Sequence, residues 1–170
     1  MSPHNLDSLN CSVATAMALI GEGWTFLILR EAFFGSRRFE DFQKHLGIAR
    51  NILTARLHKL CDKGILERIP IKQGAKRHEY RLTPMGRDLH TTLIALTQWS
   101  DRWLQTPEGA PVKFVERATG EEIAQVAVLN RDGREIKPRD LALIAGPGAT
   151  DESKERLQQL SIAQEGRDKK

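Results

Sequence analysis

Residues 49–64 read ARNILTARLHKLCDKG. Wound as a helix with Leu57 at zero, the segment puts Leu53 at about −40°, Leu60 at about −60° and Cys61 at about +40°. These four side chains form one narrow apolar stripe of the kind a small domain turns toward its core. Asn51, Ile52, Ala55, Arg56, His58, Lys59 and Lys63 lie away from it, and Asp62 is the only acid in the run. Gly64 supplies a C-terminal stop. A short helix with an apolar seam and a basic outer face fits the major groove of B-DNA. Base edges there are read by Asn, Arg, His and small apolar groups.

Working outward, the chain before this helix predicts three others. Residues 11–20 place Val13, Ala14, Met17 and Ile20 on one face, and Gly21 and Gly23 close the helix. Residues 24–34 are apolar nearly all round, as expected of a helix at the centre of a small domain. In 39–46, Phe39, Phe42 and Leu46 are spaced by three and four, and Gly47 then turns the chain. After Gly64, two alternating runs, 65–71 and 77–83, flank Lys72-Gln73-Gly74-Ala75-Lys76, which predicts a β-hairpin with a basic tip. Ile65, Glu67, Ile69 and Ile71 share one side of the first run; His78, Tyr80 and Leu82 share one side of the second. Pro84 suits the first turn of a helix. The stripe Leu89, Leu93, Leu96, Trp99 and Trp103 carries that helix to about Leu104. The fold class is α+β, mainly α: a winged helix-turn-helix with a long closing helix.

The character of the chain changes near Thr106, where TPEGAP forms a linker by composition. Short strands are expected at 112–117, 122–130 and 141–145, with turns at Thr119-Gly120 and Asp132-Gly133. A last helix is expected from Thr150, anchored by Leu157 and Leu160. This gives a winged helix-turn-helix domain over 1–106, a small β-rich C-terminal extension over 107–149, and a terminal helix with a frayed tail over 150–170.

Composition narrows the function. Of 170 residues, 40% are hydrophobic and 28% charged, enough for a modest core. Apolar runs such as 24–29 are too short to cross a bilayer, and MSPHNLDSLN lacks the pattern of a secretory signal. A cytoplasmic chain without a membrane partner is expected. Cys11 and Cys61 are then reduced thiols and too few for a zinc site. No histidine has a second histidine at i+3 or i+4, so neither a metal nor a cofactor is expected. No nucleophile–base pair, glycine-rich phosphate loop or paired carboxylates stand out, and catalysis is not expected. The net charge is +4, yet residues 30–87 hold 14 Lys/Arg against 6 Asp/Glu. Such concentration is the footprint of a polyanion-binding surface.

The residues also carry a family resemblance. Cys11-Ser-Val-Ala14, Leu19-Ile-Gly21, Gly23-Trp24-Thr-Phe-Leu-Ile-Leu-Arg30 and GSRRF at 35–39 are similar to HxlR-type transcriptional regulators. So are Leu53-Thr-Ala-Arg-Leu57, Lys63-Gly-Ile-Leu66, His78-Glu-Tyr80 and Leu82-Thr-Pro-Met-Gly86. The resemblance spans about 9–104 and implies a homodimer built on the first and closing helices, with Val13, Met17, Leu93, Leu96, Trp99 and Trp103 at the interface. The family usually has serine where this chain has Ala49, and losing an N-cap hydroxyl costs about 1 kcal/mol. The extension resembles the strand-rich tails of longer members, some with cysteine pairs in their turns. Here the turns hold none, so no metal knuckle forms.

The candidate DNA contacts are Arg50, Asn51, Ile52, Thr54, Ala55, Arg56, His58 and Lys59 on the recognition helix. Arg37 and Arg38 before the third helix, and Lys72, Lys76 and Arg77 at the wing tip, add further candidates. Asn51 suits an adenine edge, the basic groups suit phosphate or guanine, and Ile52 or Ala55 suits a thymine methyl. Cys11 begins the first helix, where the helix dipole favours a thiolate. It is a candidate redox sensor, with a packed interface thiol as the alternative. Cys61, on the core stripe, is structural. The expected function is sequence-specific DNA binding by a dimeric repressor on a near-palindromic operator, modulated by a thiol oxidant, an electrophile or a small molecule. The competing expectation is a winged-helix module for protein–protein contact.

Overall fold

The computed structural model describes residues 9–72, 77–104 and 107–168, with side chains described to Ile162. Helices α1 (Ser12–Ile20), α2 (Gly23–Phe33), α3 (Phe39–Leu46) and α4 (Arg50–Asp62) precede the hairpin of β1 (Leu66–Pro70) and β2 (His78–Leu82). After it come α5 (Pro84–Asp88), α6 (His90–Trp103) and α7 (Asp151–Asp168). Among the described residues the regular structure is mostly helical, with one two-stranded antiparallel sheet. Its contacts separate into two units, Ala16–Val126, and a second made of the residues up to Thr15 with those from Ala127 onward.

In the larger unit the core gathers around α2, whose Ile28, Leu29 and Ala32 are buried. The stripe of α4 closes on it: Leu53, Leu57 and Leu60 are fully buried, and Cys61 packs half-buried beside them. Each such leucine contributes about 1.5–3 kcal/mol by leaving water. Phe42 from α3, Ile65 and Leu66 from the start of the wing, and Tyr80 and Leu82 from β2 complete the cluster.

Local geometry sets α4 at its angle. Gly47 takes φ 61°, and its N–H reaches Gln43 O to end α3. Ala49 is the N-cap of α4 without a side-chain hydrogen bond, as expected where the hydroxyl is missing. The α2–α3 link is held by buried Glu31. Its carboxylate accepts from Arg30 at 2.8 Å and Ser36 Oγ at 3.3 Å, and pairs with His45 Nδ1 at 3.1 Å. Tyr80 N–H donates to Arg37 O at 2.7 Å, tying the wing to that link.

One feature was open in the sequence and two depart from what it predicts, each with a physical cause. The hairpin pairs Leu66 with Leu82 and Arg68 with Tyr80, so the side of β1 shared with buried Tyr80 and Leu82 carries Leu66 and Arg68, while Glu67 and Ile69 share the other. Two-residue periodicity cannot fix which face is inward when Ile65 and Leu66 are both buried. The closing helix is broken at Leu89 into α5 and α6. A one-residue turn preserves the three-and-four spacing of the stripe, so periodicity passes through it. The extension contains no regular strand among the described residues. Single bridges join Val115 to Glu122 and Leu129 to Glu135, and 141–145 runs unpaired by strands. The alternation is present, but no third strand lies alongside to extend the ladders.

Candidate nucleic-acid interface

The outer face of α4 is open. Asn51, Thr54, Ala55 and His58 are exposed at spacings that put them on one side of the helix, and Arg50 in its first turn is exposed as well. Thr54 Oγ donates to Arg50 O at 2.8 Å, leaving the oxygen lone pairs toward solvent. The Arg50 guanidinium lies over the Phe39 ring, 4.8 Å from its centroid. That stacking leaves guanidinium edges free for phosphate or guanine.

Beside it a cleft of about 460 Å³ opens between the starts of α3 and α4 and the wing. Arg38, Arg50, Arg68 and Arg77 line it, with His78, Tyr80 and the two acids Glu40 and Asp41. Asp41 is occupied in part by accepting from Arg38 N–H at 3.3 Å. Four guanidiniums around an open cleft favour an anion by charge and fork geometry. Arg68 is a member the sequence expectations lacked. The signal was its place opposite Tyr80, which requires the correct hairpin register. Lys72 is exposed at the wing's described end. Lys76 lies outside the described residues.

Four expected contacts are placed otherwise. Arg37 turns inward and donates from Nη1 to Ala32 O at 3.1 Å, closing the end of α2. Ile52 packs against the core. Arg56 and Lys59 both reach Glu22, and Lys59 Nζ also donates to Ala18 O at 2.9 Å.

The expected interface stripes are largely uncovered: Val13 and Trp103 are about two-thirds exposed, and Met17, Leu96 and Trp99 are also exposed. Leu93 departs from this pattern. It is 8% exposed within the single chain. Leu93 and Leu96 line an apolar cleft of about 320 Å³ with Phe26, Leu27, Phe34 and Phe114. Among the described residues no three His, Cys, Asp or Glu side chains are grouped to hold a metal, and no single helix is long and apolar enough to cross a membrane.

The thiols differ sharply. Cys11 is exposed just before α1, and its carbonyl accepts Thr15 N–H at 3.0 Å. Burial pushes the Cys61 thiol up, with Asp62 adding to the effect and Arg68 opposing it. Because the thiolate is the nucleophile, Cys61 is expected to react slowly. Iodoacetamide at about pH 8 is expected to alkylate Cys11 well before Cys61, as read by peptide mass spectrometry over time. Equal rates would contradict the packing of Cys61.

A family model described as HxlR-like helix-turn-helix matches residues 19–108. The chain is similar to an uncharacterized HTH-type transcriptional regulator of Mycobacterium tuberculosis, with 44% identity over 137 residues, covering 81% of this chain and 87% of that protein. Among solved structures it is similar to PA1607, described as a candidate transcription factor. That match has a TM-score of 0.75 and 38% identity over 81% of this chain and 96% of that one. It is also similar to the redox regulator HypR in its reduced form, with a TM-score of 0.50 and 27% identity over 55% of this chain and 96% of that one.

Proposed function

The chain belongs to the HxlR-like helix-turn-helix family of transcriptional regulators, and on that premise we propose that it binds double-stranded DNA sequence-specifically as a homodimer and represses transcription in the cytoplasm. The observation that carries this is the continuity of the exposed α4 face with the arginine-lined cleft at the wing. Asn51, Thr54, Ala55 and His58 read base edges in the major groove. Arg38, Arg50, Arg68, Arg77, Lys72 and Lys76 neutralise phosphates and fix the register. The uncovered stripes of α1 and α6 supply the dimer contact, and two recognition helices then address half-sites about 34 Å apart. The winged helix-turn-helix domain over 1–106 does this work, and 107–149 with 150–170 supports the dimer.

Two observations support control by an effector. Cys11 is exposed at a helix start in a chain similar to a redox regulator. The aromatic-walled cleft between α2 and α6 is of a size for a small apolar molecule.

The test is fluorescence-anisotropy binding to the DNA upstream of the chain's own gene, against a scrambled duplex, across a salt series. Two chains per duplex are expected. With 6–10 phosphate contacts, affinity is expected to fall about 10³- to 10⁵-fold between about 50 and 200 mM salt. Arg50→Ala and Arg68→Ala are each expected to reduce the log–log salt slope by about 1. Equal weak binding to both duplexes would instead favour a protein-contact module.

A further inference from the structure

Glu22 is the N-cap residue of α2, yet its carboxylate makes no capping hydrogen bond to its own helix. It crosses to α4 and pairs with Arg56 Nη2 and with Lys59 Nζ, the latter at 3.2 Å. Lys59 Nζ continues to Ala18 O at 2.9 Å. Ala18 lies in the last turn of α1, where carbonyls lack intrahelical partners and a cation is favoured. One lysine therefore closes the end of α1 and grips the start of α2. Arg56 is packed as well as paired: its Nε is buried with no hydrogen-bond partner among the described residues.

Helix geometry separates Arg56 from the open face, and the bonds to Glu22 and Ala18 O draw Lys59 away from it. Measured from the centre of Asn51, Thr54, Ala55 and His58, Arg56 stands about 150° round the helix and Lys59 about 90°. The elbow they hold is tight. A Cβ on Gly21 would come within 2.5 Å of Met17 O, so the backbone there has little room to be rebuilt.

We propose that Glu22 is a positioning residue for DNA recognition: through Arg56 and Lys59 it sets the angle of α4 against the α1–α2 elbow, and neither cation touches DNA. This rests on the DNA-binding reading above. It also makes α1 and the recognition helix one mechanical piece, so a displacement of α1 is passed to the reading face through Ala18 O and Glu22.

The test uses the full chain and a duplex that the wild type enriches from a random pool, with a scrambled duplex beside it. Glu22→Gln and Arg56→Met are expected to weaken binding to the enriched duplex about five- to tenfold. Binding to the scrambled duplex and the salt slope are expected to stay unchanged, a combination that a phosphate contact does not give. The charge-reversed pair Glu22→Arg with Arg56→Glu is expected to recover most of the loss. Thermal melts accompany each variant, and Lys59→Met carries the same test should Glu22→Gln fold poorly. A salt slope shallower by about 1 in Arg56→Met or Lys59→Met would overturn the proposal by placing that cation on phosphate. Tighter binding of Glu22→Gln to both duplexes, or no change at all, would overturn it too. Failure of the wild type to enrich any duplex would overturn the DNA-binding reading itself, and this proposal with it.

Discussion

Phe42→Ala is expected to cost about 3–5 kcal/mol of unfolding free energy, read as a fall in the urea midpoint. The ring is wholly buried and meets Tyr80 edge-on, with centroids 6.3 Å apart and planes at 83°. Edge-to-face pairs add about 0.5–1.5 kcal/mol beyond the area they bury. Phe42 sits on α3 and Tyr80 on β2, so the contact joins the helix-turn-helix to the wing. The loss is therefore expected to reach function before global unfolding. At temperatures where the variant is still folded, the wing's contribution to DNA affinity should drop. Phe42→Leu, which keeps most of the volume but not the ring edge, is expected to lose about a third as much. No loss in Phe42→Leu would mean that the aromatic geometry is irrelevant.

Gly86→Ala is expected to be as damaging, at about 3 kcal/mol or more, although it adds one methyl group. A Cβ there would stand 2.2 Å from Ile65 O and 3.0 Å from Leu82 Cδ2. The carbonyl cannot retreat freely, because it accepts Thr83 N–H at 3.1 Å. Nor can Gly86 withdraw: its N–H donates to Thr83 Oγ at 3.1 Å, and that hydroxyl donates to Gly64 O at 2.6 Å. This knot fastens the start of the wing to the first turn of α5. Gly47→Ala is the useful contrast. Its φ of 61° is left-handed but open space surrounds the added carbon, so only the backbone cost of about 1–2 kcal/mol is expected. Similar losses at the two positions in a denaturant titration would contradict the packing at Gly86.

Where a single helix face meets one core, the sequence was nearly sufficient. Leu53, Leu57 and Leu60 are buried where a 100° wheel puts them, because α4 packs by one seam. The same wheel separates core from non-core but cannot divide the remainder. Arg56 and Lys59 are off the stripe, yet their long side chains bend to Glu22, more than thirty positions earlier. Nothing local announces that pairing. Arg37 is similar, since its guanidinium finds the end of α2 rather than solvent. Leu93 belongs to the apolar stripe of the closing helix in either case. Whether a second chain or its own chain covers it depends on Phe33 and Phe34, with which it lines a second cleft. The extension is the least legible part: its alternation marks strands, but strands need neighbours, and only two bridges form among the described residues.

Gln98 on α6 holds the extension in an uncommon manner. Its side-chain amide donates from Nε2 to Ala124 O at 3.0 Å and accepts Val126 N–H at Oε1 at 2.7 Å, imitating one rung of a ladder. Because it grips main chain alone, the attachment is indifferent to which side chains occupy 124 and 126, proline at 126 excepted. The anchored segment can thus drift in composition over evolutionary time, acquiring or shedding surface chemistry, while one glutamine keeps it moored.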